Sequence, residues 1–541
     1  MLVRKYIFVA GGVMSGVGKG VAASAIGKIL QSRGFEVTAI KIDPYVNIDA
    51  GTMNPTEHGE VFVLDDGTEC DQDMGNYERF LDRGLSASNY MTTGSIYLSV
   101  IQRERNLGYG GKCVEVVPHI PLEVIARIER AAAKNKADIV ITEIGGTVGE
   151  YQNVLFLEAV RMMELKKPED VLLVLVSYLP HQSVGGEQKT KPTQYAVRSL
   201  NAAGLQPDII IARARAPLDK KRKEKIAFNC NIKEEDVISA PDVESIYDVP
   251  INFEKDNLSE VILEKLRLEP VGRDMRKWRR FVERTHNVRR PVRIGVVGKY
   301  FGTGDFVLAD SYISVIEAIR HATAWAGRNH QITWLNAEDR SVLARLRSYD
   351  GIVVPGGFGP RGVDGKIAVI STCRKNKIPI LGLCYGMQLM VIEFARNVAG
   401  LARAHTTEVN AATPHPVIDI LPEQRKNIAE KNYGASMRLG AYPTALQKST
   451  VAYRAYHESL ISERHRHRYE VNPAYIERLA KKGLVFSGFS PDRKLMEIAE
   501  LPDSIHPFFM GTQFHPEFQS RPLSPHPLFM AFLNAASRKK K

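Results

Sequence analysis

A short β-branched run, a glycine-rich turn and then a helical period occur in that order twice, beginning at residue 6 and again at residue 292. This pattern constrains the chain more than any other feature, because a strand that feeds a helix through a tight turn packs back on its sheet as a parallel crossover unit. Each occurrence opens an α/β domain. In the first, Tyr6 to Ala10 reads as a strand, Val21 to Ser32 as a helix ended by Gly34, and Val37 to Ile42 as the next strand. Apolar runs at Ile139 to Thr142, Val171 to Ser177 and Ile209 to Ala212 read as further buried strands, and the helix around Leu258 to Leu268 closes the unit. In the second, Val292 to Val297, Gln331 to Leu335, Gly351 to Val354 and Pro379 to Leu383 read as strands, with Ser311 to Trp325 among the intervening helices. The expected fold class is α/β, with two doubly wound sheets. The expected domains are 1–270 and 292–537, joined by a basic linker at 271–291 and followed by a basic tail at 538–541.

Composition excludes several alternatives. With 541 residues, 44% hydrophobic and 25% charged, the chain is too long for one compact unit and has the proportions of an ordinary globular protein. Its longest apolar run, Val171 to Val176 with its flanks, is far shorter than the roughly 18 residues a membrane span needs. Met1 to Lys5 lacks a signal-peptide apolar stretch, so no membrane partner and a cytoplasmic location are expected. Cys70, Cys113, Cys230, Cys373 and Cys384 form no CxxC pair and are odd in number, which speaks against a disulfide framework or a zinc ribbon. The net charge is +12, but nine Arg/Lys against two acids lie between Arg273 and Arg293, and four more basic residues run from Arg538 to Lys541. The remainder is almost neutral. A solvated linker and tail account for that excess better than nucleic-acid binding does.

Gly11-Gly12-Val13-Met14-Ser15-Gly16-Val17-Gly18-Lys19-Gly20 lies between the first strand and the first helix. Glycines let backbone N–H groups turn toward an anion at a helix N-terminus, and Lys19 supplies a point charge for outer phosphates. The strict G-x-x-x-x-G-K-[ST] pattern is not met, because position 20 is Gly and the usual magnesium-binding hydroxyl is absent. Asp71, Asp73 and the strand-end Glu143 are candidate replacements, Glu143 the better one, since ligands gather at the carboxyl ends of parallel strands. A second loop, Gly185 to Gln194, combines glycines, lysines and hydroxyls, so a second phosphorylated ligand is expected at the same sheet edge.

Gly382-Leu383-Cys384-Tyr385-Gly386 places a cysteine at a strand-to-helix turn flanked by glycines, the geometry of a nucleophile elbow. His515-Pro516-Glu517 offers a base with a carboxylate to hold its tautomer, and Pro355 to Gly359 could present N–H groups to an oxyanion. Acyl-transfer chemistry is the expectation. The run Glu463-Arg464-His465-Arg466-His467-Arg468 invites a metal reading, but alternating arginines repel a cation, and carboxylate or phosphate recognition is preferred there.

Met53 through Val63 (MNPTEHGEVFV), Lys189 through Gln194 (KTKPTQ), Gly356 through Gly362 (GGFGPRG), the Cys384 elbow and Glu463 through Asn472 (ERHRHRYEVN) resemble the blocks of the cytidine triphosphate synthase family, in order over nearly the whole chain. The resemblance implies a P-loop-like amidoligase domain that phosphorylates UTP at O4 with ATP. It also implies a glutamine amidotransferase domain that hydrolyses L-glutamine at Cys384, His515 and Glu517 and sends ammonia to the first site. ATP would be bound by Gly16, Val17, Gly18, Lys19, Gly20, Val21, Lys41, Asp73, Pro241, Asp242 and Val243, with Mg2+ at Asp73 and Glu143. UTP, or the inhibitory product CTP, would be bound by Ser15, Glu150, Tyr151, Gln152, Lys189, Thr190, Lys191, Pro192, Thr193, Gln194 and Lys225. Glutamine would be bound by Gly357, Tyr385, Gly386, Met387, Gln388, Glu408 and Arg468, and ammonia would pass Pro55, His58 and Val61. The resemblance further implies activation by GTP, with Phe358 and Arg361 as contacts, and a homo-oligomer, a tetramer.

Two features depart from the family pattern. Members often carry a second acid two residues after the position of Glu150, where this chain has Gln152, and Ala411 to Ala435 carries no matching block. Two other classes compete: a glutamine-dependent ligase with a different acceptor, and a non-catalytic assembly protein, against which the complete Cys384, His515 and Glu517 set speaks. The chemistry is coherent with the resemblance. A pyrimidine carbonyl oxygen leaves poorly until it is phosphorylated, and phosphoryl transfer wants a cation-rich cradle.

Overall fold

The computed structural model describes residues 3–181, 187–286, 291–298, 309–420, 424 and 436–538. The chain forms two compact units, one of Met1–Asp49 with Asp73–Val282 and one of Ala50–Gln72 with Glu283–Lys541.

The first unit is built on seven strands in the order Tyr90–Thr92, Val37–Asp43, Ile139–Ile144, Lys5–Gly12, Val171–Tyr178, Ile209–Ala214 and Val237–Pro241. Every neighbouring pair is parallel. Buried on both faces, the central strands read as unbroken apolar runs such as VLLVLVS, which is why they are legible in the sequence. The two outer strands were not expected. Tyr90–Thr92 is only three residues long, and Val237–Pro241 ends in proline, so neither gives a periodic signal.

In the second unit, the strands His330–Asn336, Val292–Gly298, Gly351–Val354, Ile380–Leu383 and Phe509–Thr512 pair in parallel in that order. The same sheet continues through Met496–Leu501, Val485–Phe489, Arg438–Leu446 and Leu460–His467, all antiparallel. The doubly wound expectation therefore describes its parallel part, and an antiparallel extension lies beyond it. Those added strands carry buried charged residues such as Arg464 and Glu497, so their polarity hides them from an apolar-run criterion.

Two expected boundaries shift. Residues 50–72 lie within the expected first domain in sequence but belong to the second compact unit. Ion pairs from Arg464 to Asp65 at 2.6 Å and from Arg466 to Glu69 at 2.8 Å tie them there. The expected linker contains the helix Arg276–His286. Trp278, Phe281 and Val282, at helical spacing, are buried while Arg276, Lys277, Arg279 and Arg280 stay exposed. Trp278 packs on Phe80 at 5.1 Å and donates from Nε1 to the Tyr247 carbonyl at 3.0 Å. Residues 287–290 of that linker and 539–541 of the tail lie outside the described residues.

Candidate active sites

In the second unit, three neighbouring parallel strands end at Val354, Leu383 and Thr512, and the segments that follow them carry Pro355 to Phe358, Cys384 and His515. Strand order thus assembles the thiol, its base and a glycine-rich loop from positions 160 residues apart in the sequence. Cys384 adopts φ 50° and ψ −102°, immediately before the helix Tyr385–Asn397. A non-glycine residue in that region costs about 1–3 kcal/mol, and it is held by a 2.6 Å hydrogen bond from its N–H to the Thr512 carbonyl. Gly386 is obligatory, because a Cβ there would collide with the Val354 carbonyl.

His515 Nδ1 pairs with Glu517 Oε1 at 2.7 Å, and both side chains are buried. Burial alone would pull the imidazole pKa down, but the Glu517 carboxylate and the Cys384 sulfur outweigh it and raise the pKa to about 10. His515 Nε2 makes no ordinary hydrogen bond among the described residues, yet the sulfur is close enough to act on its proton. The arrangement is a cysteine thiol beside an imidazole that a carboxylate orients. Gln513 Nε2, not foreseen from the sequence, donates to Cys384 Sγ at 3.7 Å.

Cys384 opens on a cavity of about 80 Å³ lined by Pro355 to Phe358, Arg466, His515 and Glu517, with Pro55, Glu60 and Val61 on its walls. Of the expected glutamine residues, Gly357 lines this cavity. Glu408 accepts from the Gly359 N–H at 2.7 Å, and Tyr385 donates to the Gly359 carbonyl at 3.2 Å, so both shape the same loop. Gln388 donates to the Tyr469 carbonyl at 2.9 Å, and Met387 packs under Gly511. Arg468 donates to Gln424 and Ser436, while Arg466 reaches the cavity wall. Among the expected passage residues Pro55 and Val61 line the cavity, whereas His58 is exposed on the short helix Pro55–His58. Arg361 is ion-paired with Glu338 at 3.0 Å, and Phe358 is exposed beneath the Arg466 guanidinium.

The histidine-rich run lies on Leu460–His467. His465 and His467 are buried, 2.9 Å apart, and burial together with the Arg438 charge holds both well below the usual imidazole range. Arg464 and Arg466 do recognise carboxylates, those of Asp65 and Glu69 in the chain itself.

In the first unit, the turn after Lys5–Gly12 faces the ends of Val37–Asp43 and Ile139–Ile144. Lys41 and Glu143 are register partners on neighbouring parallel strands, so their side chains share a face, and Asp43 follows at the same-face spacing. Lys41 Nζ donates to Asp73 at 2.7 Å and Glu143 at 2.8 Å, and lies 3.7 Å from Asp43. Burial raises the Glu143 carboxyl; burial acts the same way on Asp73, but Lys41 pulls that carboxyl below its ordinary value. Tyr77 donates to Glu143. Lys19, buried, donates to the Gly146 carbonyl at 2.9 Å. Glycine at position 20 now has a cause: a Cβ there would collide with the Asp73 carboxylate, which stands where a P-loop hydroxyl would point. Asp71 belongs to the other compact unit.

Gly18, Val21, Pro241, Asp242 and Val243 line one cleft of about 300 Å³, with Arg213 and Phe253. Arg213 donates to Asp242 at 2.7 Å. Lys189 pairs with Glu187, and Thr190 to Gln194 open the helix Lys191–Ala202, where Ser177 donates to Thr193 at 2.9 Å. Gly185 and Gly186 lie outside the described residues. Ser15, Tyr151, Gln152 and Lys225 are exposed, and Gln152 Nε2 donates to Glu150 Oε2 at 2.6 Å.

Comparison with known proteins matches a family profile described as CTP synthase N-terminus to residues 5–268, and one described as glutamine amidotransferase class-I to residues 307–535. A CTP synthase from Caldanaerobacter subterraneus subsp. tengcongensis is 51% identical over 536 residues, covering 98% of each chain. One from Thermococcus gammatolerans is 50% identical over 540 residues, covering 99% of each. The chain belongs to the CTP synthase family. A solved Trypanosoma brucei CTPS glutaminase domain with bound acivicin is 37% identical, covers 46% of this chain and 95% of its own, and has a TM-score of 0.42. CTP synthases are glutamine-hydrolysing ligases that make CTP from UTP, and this member carries both the amidoligase and the amidotransferase domain. Sequence reasoning missed Asp43, Tyr77, Arg213, Arg466 and Gln513. Asp43 carried the same strand-end signal as Glu143, and Arg466 lay in the run Glu463 to Arg468 without a place at the thiol; Tyr77, Arg213 and Gln513 sit in no motif and are recruited only by packing.

Proposed function

We propose that the reaction is divided between the two centres, with Cys384, His515 and Glu517 releasing ammonia from L-glutamine and the Lys19, Lys41, Asp73 and Glu143 cluster phosphorylating UTP for amination. Carrying this reading is the presence, in one chain, of a buried His515–Glu517 pair at 2.7 Å beside an elbow cysteine and of a lysine–carboxylate cluster at a phosphate loop.

At the thiol centre, Cys384 Sγ attacks the amide carbon of glutamine, and the oxyanion is met by N–H groups of the Pro355 to Gly359 loop and the helix start at Tyr385. His515 hands its proton to the departing nitrogen, which leaves as ammonia. Water, deprotonated by His515, then cleaves the thioester to glutamate. Ammonia moves along a passage that Pro55, His58 and Val61 border. At the other centre, UTP O4 takes the γ-phosphoryl group from ATP, ADP leaves, ammonia adds at C4 and phosphate departs. Lys19 and Lys41 hold the transferred charge, the Gly16 to Val21 turn cradles phosphates, and Pro241 to Val243 flank the nucleoside.

Magnesium fits this donor set. Among the described residues no group of three or more His, Cys, Asp or Glu forms a closed cage, but magnesium needs only one or two carboxylates beside phosphate oxygens. Asp73 and Glu143 would hold it, and it would neutralise charge on the triphosphate. GTP acts as an activator near Phe358 and Arg361, and the enzyme is a homotetramer. Exposed Leu98, Ile101, Val116 and Val117 on the helices Thr93–Arg105 and Val116–Lys134 support association, which light scattering measures. Among the described residues no helix is long and apolar enough to cross a membrane, and five free cysteines fit a reducing cytoplasm. The absorbance change of UTP to CTP with ATP, magnesium and glutamine, with and without GTP, tests the reading; amination of xanthosine monophosphate instead would overturn it.

CTP feedback is expected to be present but weaker than in a Gln152→Glu variant. Gln152 already spends an amide hydrogen on Glu150, and a neutral oxygen accepts less strongly than a carboxylate. The Gln152→Glu variant is expected to bind CTP up to about tenfold more tightly, about 1.4 kcal/mol, with UTP affinity little changed. Superimposable inhibition curves at equal UTP would exclude position 152 from the inhibitor site.

His515 also sets a pH dependence. Its folded pKa of about 10 lies above the ordinary 6.5, so its stabilising charge pair is complete below 6.5 and is lost as pH rises toward about 10. Removing the partner charge with Glu517→Gln is expected to lower the melting temperature most near pH 6.5 and least near pH 10. A difference that stays constant over that window would contradict the assignment.

A further inference from the structure

We propose that Phe62, Asp65 and Glu69 are positioning residues of the thiol centre, holding the strand and the ring against which Cys384 and His515 are set. The proposal rests on Cys384 and His515 being the glutaminase pair. These three residues precede Asp73 in the sequence, yet they fall within the compact unit that contains Cys384.

Arg464 and Arg466 are two apart on the strand Leu460–His467, so their side chains project from one face. Arg464 Nε donates to Asp65 at 2.6 Å and Nη1 to the Val63 carbonyl at 3.1 Å, while Arg466 Nε donates to Glu69 at 2.8 Å. The backbone of the same two residues meets the catalytic pair. The Arg464 carbonyl accepts from the His515 N–H at 2.8 Å, and the Arg466 carbonyl stands 3.7 Å from Cys384 Sγ. Side chains gripped by residues 62–69 and carbonyls touching thiol and base thus belong to the same two residues of one strand.

A second contact runs through aromatic rings, and Phe62 links it to the same strand, since the Arg464 guanidinium lies 5.4 Å over the Phe62 ring. Phe518 stacks on the His515 ring at 5.0 Å and 15°, and the edge of Phe62 meets Phe518 at 5.0 Å and 61°. Phe62 is 1% exposed and Glu69 2%, so neither contact is diluted by water. A nucleophile displaced by about 1 Å loses about 10²-fold in rate. Weakening one of two supports is expected to cost less than that and to act on chemistry rather than on glutamine binding.

The test uses the full-length protein with Glu69→Gln, which removes the charge at nearly constant shape, and Phe62→Leu, which removes the ring edge. Each is expected to lower kcat for glutamate release about tenfold, with KM within about twofold, and to slow alkylation of Cys384 by iodoacetamide by a similar factor. CTP synthesis from ammonium chloride is expected to stay within about twofold of wild type. Wild-type glutamate release and alkylation in both variants would overturn the proposal. So would an equal loss of the ammonia-dependent reaction, which marks a general folding defect. Failure of the underlying assignment looks different: wild-type protein alkylated at Cys384 would go on releasing glutamate.

Discussion

Cys384→Ala is expected to lower glutamine-dependent CTP synthesis by more than about 10³-fold, as removal of a covalent nucleophile does, while synthesis from added ammonium salts stays near the wild-type rate. The asymmetry follows from the division of labour. The thiol takes part only in splitting the glutamine amide, and its contacts, the Thr512 carbonyl, the Arg466 carbonyl and the Gln513 amide, all belong to the second compact unit. Substitution by alanine keeps the Cβ that the strained turn already accommodates, so the fold is not perturbed. Measuring both activities on one preparation decides the matter. Equal loss of the two would mean that Cys384 serves the whole reaction and that the two-centre division is wrong.

Lys19→Ala is expected to remove both activities, by about 10²–10³-fold or about 3–4 kcal/mol of transition-state stabilisation. Charge develops on the transferring phosphoryl group whichever source supplies nitrogen, so ammonium cannot rescue this variant. The lysine emerges from the turn at the N-terminus of the helix Lys19–Ser32, and burial lowers its pKa while Glu143 and Asp73 support its charge. A buried ammonium with one carbonyl partner at 2.9 Å is poised for a stronger anionic ligand. Near-normal ammonia-dependent turnover in Lys19→Ala would show the glycine loop to be merely structural. Glutamate release measured without nucleotides is expected to persist, which separates this loss from unfolding.

Much of both sites was legible because parallel α/β architecture turns sequence order into geometry. Val171–Tyr178 and Ile380–Leu383 announce themselves as apolar runs, since a strand buried on both faces has no solvent side to mark. Whatever follows such a strand then stands at the ligand edge, which is how the sequence alone marks Lys19, Glu143 and Cys384. Other features had no local signature. Glycine at position 20 reads as a defect in a phosphate loop until the Asp73 carboxylate is found against it. Trp278 and Phe281 read as interruptions in a basic linker until they pack on Phe80 and Tyr247.

The sequence by itself determined that this chain has two α/β units, that each places a reactive loop after a buried strand, and that the loops carry a lysine at one end and a cysteine at the other, because covalent neighbours and hydrophobic period are local properties. Only the tertiary structure decided that residues 50–72 join the thiol centre, with Glu69 paired to Arg466 across 397 positions of chain. It likewise decided that Lys41 gathers Asp73 and Glu143. Pairing of buried charges depends on which side chains lose their water together, and no spacing along the chain records that.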